Sequence, residues 1–338
     1  MNFFVISLRK NFFMLLFLMF TISLIFFSST NLIAAKEGLV LWATNVVPSL
    51  FPFFIATELL CKTNFIKIIG KFLNKFMRPI FNVPGESATA LLLGTISGYP
   101  IGAKVVCNLK NQKIISKAEA ERLIAYTNNS GPLFILGSVG ISLFGNKKIG
   151  IILLISHIIS CIIVGCLFKF WKKNEVKFDY SCFNKDENKL IKISNLGEII
   201  GDSIKNAITT ILSIGGFIVL FSVIISILNS YGIINILTNT LSYWGISNEI
   251  TSALITGLIE LTNGVNLSSS FYNSNPLTSI LLTSFLLGFG GLSILLQVYS
   301  IITKEKISIK TYFYGKLLQG IISVFITYFL IYNKGLVI

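Results

Sequence analysis

The chain has few of the side chains that catalytic and metal sites require. It contains one histidine, His157, and none of its five cysteines forms a CxxC pair. Zinc sites and Cys/His catalytic sites need clusters of these residues at short spacing. The sequence also has no HExxH motif, no paired aspartates and no Ser and His at a usable spacing. We therefore expect no enzymatic activity, no metal site and no cofactor.

Charge is scarce as well. Only 12% of the 338 residues are charged, whereas 53% are hydrophobic and 29 are Phe. A soluble domain typically has about 25% charged residues, so the composition excludes an ordinary soluble protein. Apolar runs recur along the chain and predict an all-α polytopic membrane protein in a lipid bilayer. The net charge of +14 does not indicate nucleic-acid binding, because the basic residues lie at the ends of the apolar runs.

One apolar segment contains several residues that break helices. It reads Leu-Leu-Leu-Gly-Thr-Ile-Ser-Gly-Tyr-Pro-Ile-Gly-Ala-Lys from Leu91 to Lys104. Breaks at membrane depth are tolerated only where protein or a water-filled cavity surrounds the backbone. The turn Ser97–Pro100 lies at the middle of an apolar stretch of about 20 residues, which favours a re-entrant hairpin. Two half-helices that meet at such a tip are typical of solute sites in transporters.

Two features of the first half recur in the second half. Ser116 and Glu119 form a capping box at the start of a helix that Asn128–Pro132 interrupts. The second half has a broken apolar segment at 251–266 and an interruption at 288–291. Gly94 corresponds to Gly257 at an offset of 163 residues, and the two interruptions match at nearly the same offset. Two such matches, each at a helix breaker, indicate an internal repeat.

We divide the chain into four parts. These are an N-terminal transmembrane helix (1–37), a first repeat (38–171), a cytoplasmic linker (172–206) and a second repeat (207–333). The run 12–27 also resembles a signal peptide, but another span follows at once, so we favour an uncleaved helix. Residues 62–78 have Lys and Phe at helical spacing, which predicts an amphipathic helix lying on the membrane or packed on other protein.

The distribution of charge predicts the topology. Each repeat has three full spans and one hairpin that does not cross, so the second repeat is inverted relative to the first. Together with the first helix this gives about seven full spans, with a cytoplasmic N-terminus and an outside C-terminus. Nearly all basic residues then lie on the cytoplasmic side, as the positive-inside rule requires. The exceptions are Lys36, Lys147, Lys148 and Lys334.

The motifs Gly94–Lys104, Glu119–Leu123 and Asn128–Phe134 resemble those of the sporulation integral membrane protein YlbJ family. Proteins of this family carry "nucleoside recognition" or Gate domains. The resemblance covers most of the chain, residues 38–333. The element order is also similar to the core of concentrative nucleoside transporters, with two re-entrant hairpins and two unwound helices. The resemblance implies a role in endospore formation. It further implies that dipicolinic acid passes from the mother cell across the outer forespore membrane.

We therefore expect a secondary transporter of a small, planar, anionic solute in the cell membrane. A nucleoside or nucleobase carrier is the alternative within transport. A non-transporting membrane scaffold for spore cortex assembly is a third interpretation, but it gives no reason for paired broken hairpins. The sequence leaves open whether Na+ or H+ is the coupling ion and whether the chain forms a homo-oligomer.

The candidate site residues lie at the four breaks. Glu260 is the candidate for ion coupling, because it is the only acid between Glu249 and Glu305. Lys104 is the candidate for anion binding, as the only basic residue near the first tip. The substrate-binding candidates are Ser97, Gly98, Tyr99, Pro100, Lys104, Asn128, Asn129, Ser130, Thr262, Asn263, Gly290, Gly291, Ser293 and Gln297.

Each candidate also has a structural interpretation. The glycines could serve close helix packing, and Lys104 could extend its ammonium to the cytoplasmic surface. The asparagines could repair the interrupted helix, and Glu260 could be a protonated residue paired across the bundle. The residue types alone leave both interpretations open.

The inverted topology is tested by cysteine labelling. Single cysteines replacing Lys185 and Asn273 in a cysteine-free background should react with membrane-impermeant reagents from opposite sides, because an odd number of spans separates the two positions. Labelling of both positions from one side would contradict the inverted repeat.

Overall fold

The computed structural model describes residues 2–172, 196–243 and 245–333. Every regular element in these ranges is a helix. Five helical segments are long and apolar enough to cross a bilayer: 28–61, 147–168, 196–230, 276–305 and 309–332. The prediction of an all-α polytopic membrane protein is therefore confirmed.

The first repeat contains an interrupted helix next to a hairpin. Its elements, with the preceding helix, are α1 (Asn2–Phe26), α2 (Ser28–Cys61), α3 (Phe65–Phe81), α4 (Ala88–Ser97), α5 (Ile101–Asn111), α6 (Lys117–Thr127), the π-helical α7 (Phe134–Leu143) and α8 (Lys147–Phe168). Helices α4 and α5 pack on each other and form the first hairpin. The capping box at Ser116 and Glu119 is present and begins α6.

The second repeat has the same order of elements. They are α9 (Leu196–Ser230), α10 (Ile233–Ser242), α11 (Asn248–Ile259), α12 (Leu261–Ser270), α13 (Pro276–Phe289), α14 (Gly291–Ile302) and α15 (Ile309–Asn333). Helices α11 and α12 form the second hairpin, with Glu260 at its tip. Gly290 separates α13 from α14. Both predicted hairpins and both predicted interruptions are thus confirmed.

Each hairpin tip packs against the interruption in its own repeat. Gly98 has a φ of +84°, and a Cβ there would lie 3.0 Å from the nitrogen of Gly131. Gly291 has a φ of +78°, and a Cβ there would lie 2.8 Å from the carbonyl oxygen of Gly257. Glycine is therefore required at both places, by backbone conformation and by close approach. The same contact in both halves supports the repeat.

Two predicted boundaries differ from the structure. Helix α2 begins at Ser28 rather than near Gly38, and the polar side chains of its first turns bond to helix carbonyls, as Thr30 does to Phe27 and Asn31 to Ser23. Helix α9 begins at Leu196, so the end of the predicted linker is helical. The remaining linker residues, 173–195, lie outside the described residues.

The predicted amphipathic helix is α3. A Cβ on its Gly70 would lie 2.9 Å from Glu86 beside the first hairpin, so one face packs on protein. Ile68, Phe72 and Phe76 are exposed on another face. The contact with protein is thus present, and the position of the exposed face on the membrane stays a prediction.

Polar contacts join the two repeats at one end of the bundle. Lys110 in the last turn of α5 pairs with Glu305 after α14 at 3.4 Å. Lys62 after α2 pairs with Asp202 in the first turns of α9 at 3.1 Å. All four residues belong to segments that the charge distribution assigns to the cytoplasm. The sidedness itself stays a prediction.

The close packing of the second hairpin predicts a large effect of a single methyl group. A Cβ on Gly264 would overlap the Cα of Gly257, whereas a Cβ on Gly216 of α9 would meet nothing within 4 Å. Gly264→Ala should lower the free energy of unfolding by about 1–3 kcal/mol, as overpacking does. Gly216→Ala should be neutral or stabilising. Thermal unfolding in detergent compares the two, and equal melting temperatures would contradict the packing.

Candidate functional site

Three spaces lie one after another along α9. Asn206, Thr209, Thr210 and Ser213 line a crevice at one end. Ile214 and Ile218 line a small central cavity. Ser222, Ile225, Ser226, Asn229 and Ser230 line a second crevice at the other end. These positions follow helical spacing, so one face of α9 borders all three spaces.

The central cavity brings the two repeats together. Its volume is about 20 Å³, and five candidate residues line it: Tyr99, Glu260, Thr262, Ser293 and Gln297. Apolar side chains complete the wall, among them Leu50 and Phe134. This volume holds about one water molecule, so the cavity is too small for a solute in this conformation.

The crevice at the Leu196 end of α9 is called here the basic crevice. It has a volume of about 550 Å³, and its wall includes Lys104 and Lys304. Neither lysine lies within ion-pair distance of a carboxylate in the part of the chain that the structure describes. The acids of the same wall have other partners, because Glu58 accepts from Asn206 and Glu305 pairs with Lys110. Lys104 and Lys304 thus face Glu58 and Glu305 in the wall, and with Lys110 included three ammonium groups stand against two carboxylates, a positive balance of one charge.

The crevice at the Ser230 end is called here the serine-rich crevice. It has a volume of about 490 Å³, and its polar wall residues include Ser222, Ser252, Asn263 and Asn266. Glu37 is its only charged wall residue among those described. The two crevices are thus similar in size and different in charge.

The two hairpin tips separate the crevices from the cavity. Tyr99 lines the cavity, whereas the next residue, Pro100, lines the basic crevice. Thr262 lines the cavity, whereas the next residue, Asn263, lines the serine-rich crevice. Gln297 borders both the cavity and the basic crevice, and its Oε1 is buried without a hydrogen-bond partner among the described residues.

Glu260 has a local structural role as well as a position in the cavity. Its carboxylate accepts from the backbone nitrogen of Asn263 at 2.8 Å and so caps the N-terminus of α12. The side chain of Asn263 donates to Ser222 of α9 at 2.9 Å. A carboxylate at a helix N-terminus is stabilised by the helix dipole, which explains how an acid is accommodated at the buried tip.

The first interruption is held by hydrogen bonds to four helices, two to side chains and two to backbone groups. Asn128 accepts from the nitrogen of Ala103 at 3.4 Å and donates to the Tyr312 hydroxyl at 3.2 Å. The backbone nitrogen of Ser130 donates to His157 Nε2 at 3.2 Å, and its hydroxyl donates to the Leu287 carbonyl at 3.3 Å. The hydroxyl of Ser97 shares a hydrogen bond with Thr57 of α2. These residues lie behind the cavity wall.

Asn129 belongs to a buried polar cluster that sequence reasoning missed. Its Oδ1 accepts from Lys316 Nζ at 3.1 Å and from Gln319 Nε2 at 2.9 Å. Its amide nitrogen donates to the Tyr126 carbonyl at 2.8 Å. Lys316 lies in α15 and is 3% exposed. A lysine at the middle of an apolar span is a signal that could have revealed this cluster, since intramembrane charges are costly.

A second basic residue, in addition to Lys104, therefore lies near the breaks of the first repeat. Lys316 contacts the interruption itself, and Lys104 lies on the face of α5 that borders α9, where its ammonium donates to Thr210. Spacing along the sequence gives the distance of Lys104 from the tip. It does not give the side of the hairpin on which the ammonium lies.

The different environments of the two asparagines predict different stabilities. Asn129→Leu removes the acceptor for two buried donors, so it should lower the free energy of unfolding by about 1–3 kcal/mol. Asn128→Leu removes one partner of a tyrosine hydroxyl and one backbone contact, and should cost less. Melting temperatures of the two purified variants give the comparison. A larger loss for Asn128→Leu would contradict the role of the cluster.

Comparison with known proteins gives two matches. A family model described as Gate, nucleoside recognition, matches residues 43–164, a range that includes the first hairpin and the first interruption. The sporulation integral membrane protein YlbJ of Bacillus subtilis (strain 168) is 34% identical over 321 residues, covering 90% of this chain and 78% of the relative. No solved structure matches. The identity and coverage of the relative show that the chain belongs to the family of the sporulation integral membrane protein YlbJ.

Proposed function

We propose that the chain is a secondary transporter that moves a small anionic solute along α9, between the basic crevice and the serine-rich crevice. The observation that carries the proposal is the series of two crevices and one small cavity, with a hairpin tip between each crevice and the cavity. Transporters with broken hairpins bind solute between their repeats and expose it to each side in turn. The closed cavity corresponds to a conformation without access from either side.

The charges of the basic crevice support an anionic solute. Lys104 and Lys304 contribute two ammonium groups to its wall, and the N-terminus of α5 contributes about half a positive charge from the helix dipole. Glu305 pairs with Lys110 and Glu58 remains in the wall, so the net positive charge that attracts a dicarboxylate is small and is centred on Lys104, Lys304 and the helix terminus. This electrostatic attraction acts on the solute in the basic crevice, before it passes the first hairpin tip into the cavity.

The cavity beyond the tip suggests how transport is coupled. Glu260 is its only charged wall residue among those described, so an anion that enters would meet a carboxylate. Neutralisation of Glu260 by H+, or by Na+ beside it, would remove this repulsion. We therefore propose that the anion moves together with a cation that binds at Glu260.

The relative supports a role in spore formation. It is described as a sporulation protein, and we propose that this chain also acts in spore formation, in the outer forespore membrane. Dipicolinic acid is a planar pyridine dicarboxylate and has the charge that the basic crevice favours. It is therefore our candidate solute.

A nucleoside is the second candidate. The matching family model is described by nucleoside recognition, and the cavity wall provides neutral hydrogen-bonding groups from Thr262, Ser293 and Gln297. These groups suit hydroxyl and amide functions as well as a carboxylate. The choice between the two solutes depends on whether the lysines of the basic crevice contribute to transport.

Uptake by proteoliposomes distinguishes these possibilities. Dipicolinate and uridine are compared with Na+ or choline outside, and with or without a pH gradient. Lys104→Met should lower dipicolinate uptake about tenfold, which corresponds to about 1.4 kcal/mol, and Lys104→Arg should retain a part of it. Lys310→Met, at an exposed position on α15, is the matched control and should retain uptake.

Two results would contradict the anionic solute. Full dipicolinate uptake by Lys104→Met would remove Lys104 from the path, and uptake of uridine in preference to dipicolinate would favour the nucleoside. Transport of neither solute would overturn both assignments.

A further inference from the structure

The buried lysine of α15 has neutral oxygen partners. Lys316 Nζ donates to Asn129 Oδ1 at 3.1 Å and to Gln319 Oε1 at 2.7 Å. No carboxylate of the described residues lies within ion-pair distance of it. A buried ammonium without a counter-charge is costly, so its position calls for an explanation other than an ion pair.

The ammonium lies where a broken helix attracts cations. Helix α6 ends at Thr127, and Asn129 lies in the interruption that follows. The C-terminal end of a half-helix has a negative partial charge. Transporters with discontinuous helices coordinate Na+ with such ends and with the carbonyls of the unwound backbone. Lys316 therefore brings a positive charge to a place that suits a monovalent cation.

The neighbouring titratable groups do not supply a second charge. His157 on α8 accepts from the nitrogen of Ser130 through Nε2, so that nitrogen carries no proton. Cys161, also on α8, donates its thiol proton to the carbonyl of Tyr126 on α6. The helices that pack against this part of α15 thus offer neutral groups, and Lys316 is the one group of the cluster that carries a positive charge when it is protonated.

We propose that the ammonium of Lys316 is a built-in cation, which takes the place of an exchangeable Na+ at the first interruption. A fixed charge here would leave Glu260 in the second repeat as the site for the coupling cation. The inference rests on the proposed transport function. Its test measures cation binding by stability, so it can fail or succeed whichever solute the protein moves.

The proposal predicts that removing the lysine creates a sodium site. In Lys316→Ser the amide oxygens of Asn129 and Gln319 remain, and the serine adds a third oxygen in the space that the lysine leaves. Such hard oxygen ligands suit Na+. The probe is NaCl against choline chloride at equal ionic strength, added to purified full-length protein in detergent while the melting temperature is recorded.

The expected result is a specific shift. Lys316→Ser should melt about 3–5 °C higher in 0.3 M Na+ than in choline, through binding to the folded state alone. In the wild type, the same change from choline to Na+ should raise the melting temperature by a clearly smaller amount. Lys310→Ser removes an exposed lysine from the same helix and should behave as the wild type does.

Three outcomes would overturn the proposal. One is a Lys316→Ser protein that melts at the same temperature in Na+ and choline. Another is a wild type that shows the same Na+ shift as the variant. If Lys316→Ser does not fold, the stability of Lys316→Met tests the proposal instead. Methionine gives the two amide oxygens neither a charge nor a hydrogen-bond donor. A Met variant at least as stable as the wild type would show that no cation is needed there.

Discussion

The structure depends on the requirement that backbone groups inside a membrane find partners within the protein. Two hairpins and two interrupted helices each leave N–H and C=O groups outside regular helices. Gly98 at the first tip contacts Gly131, and Gly291 contacts Gly257 in the last turn of α11, just before the second tip. Each hairpin therefore packs on the interruption in its own repeat. The polar groups of the breaks either bond to neighbouring helices or face the small cavity.

The two repeats provide partners for their broken backbone in different ways. The first interruption is filled by Asn128, Asn129 and Ser130, which bond to residues of α8, α13 and α15. The second consists of Gly290 and Gly291, both with positive φ, and the polar residues that follow it line the cavity. The first repeat thus supplies a closed scaffold behind the cavity. The second repeat supplies most of its polar wall.

The sequence predicts the breaks better than it predicts their surroundings. Gly, Pro and Asn at membrane depth mark both hairpins and both interruptions, because backbone conformation is a local property of these residues. The partners of the breaks are not local. Asn129 and Lys316 are 187 residues apart, and nothing in the pattern of either segment indicates that they touch. For the same reason the distance of Lys104 from the tip along the chain was predictable and its contact with Thr210 of α9 was not.

Helix α9 links the two sides of the cavity through two polar contacts. Lys104 of the first hairpin donates to Thr210 beside the basic crevice, and Asn263 of the second hairpin donates to Ser222 beside the serine-rich crevice. A neutral hydrogen bond such as that of Asn263 contributes about 0.5–1.5 kcal/mol to stability, and one from a charged group such as Lys104 about 1.5–3 kcal/mol. The loss of either contact therefore costs no more than a few kcal/mol. Because the two tips separate different crevices from the cavity, movement of one hairpin away from α9 would open one side and leave the other closed.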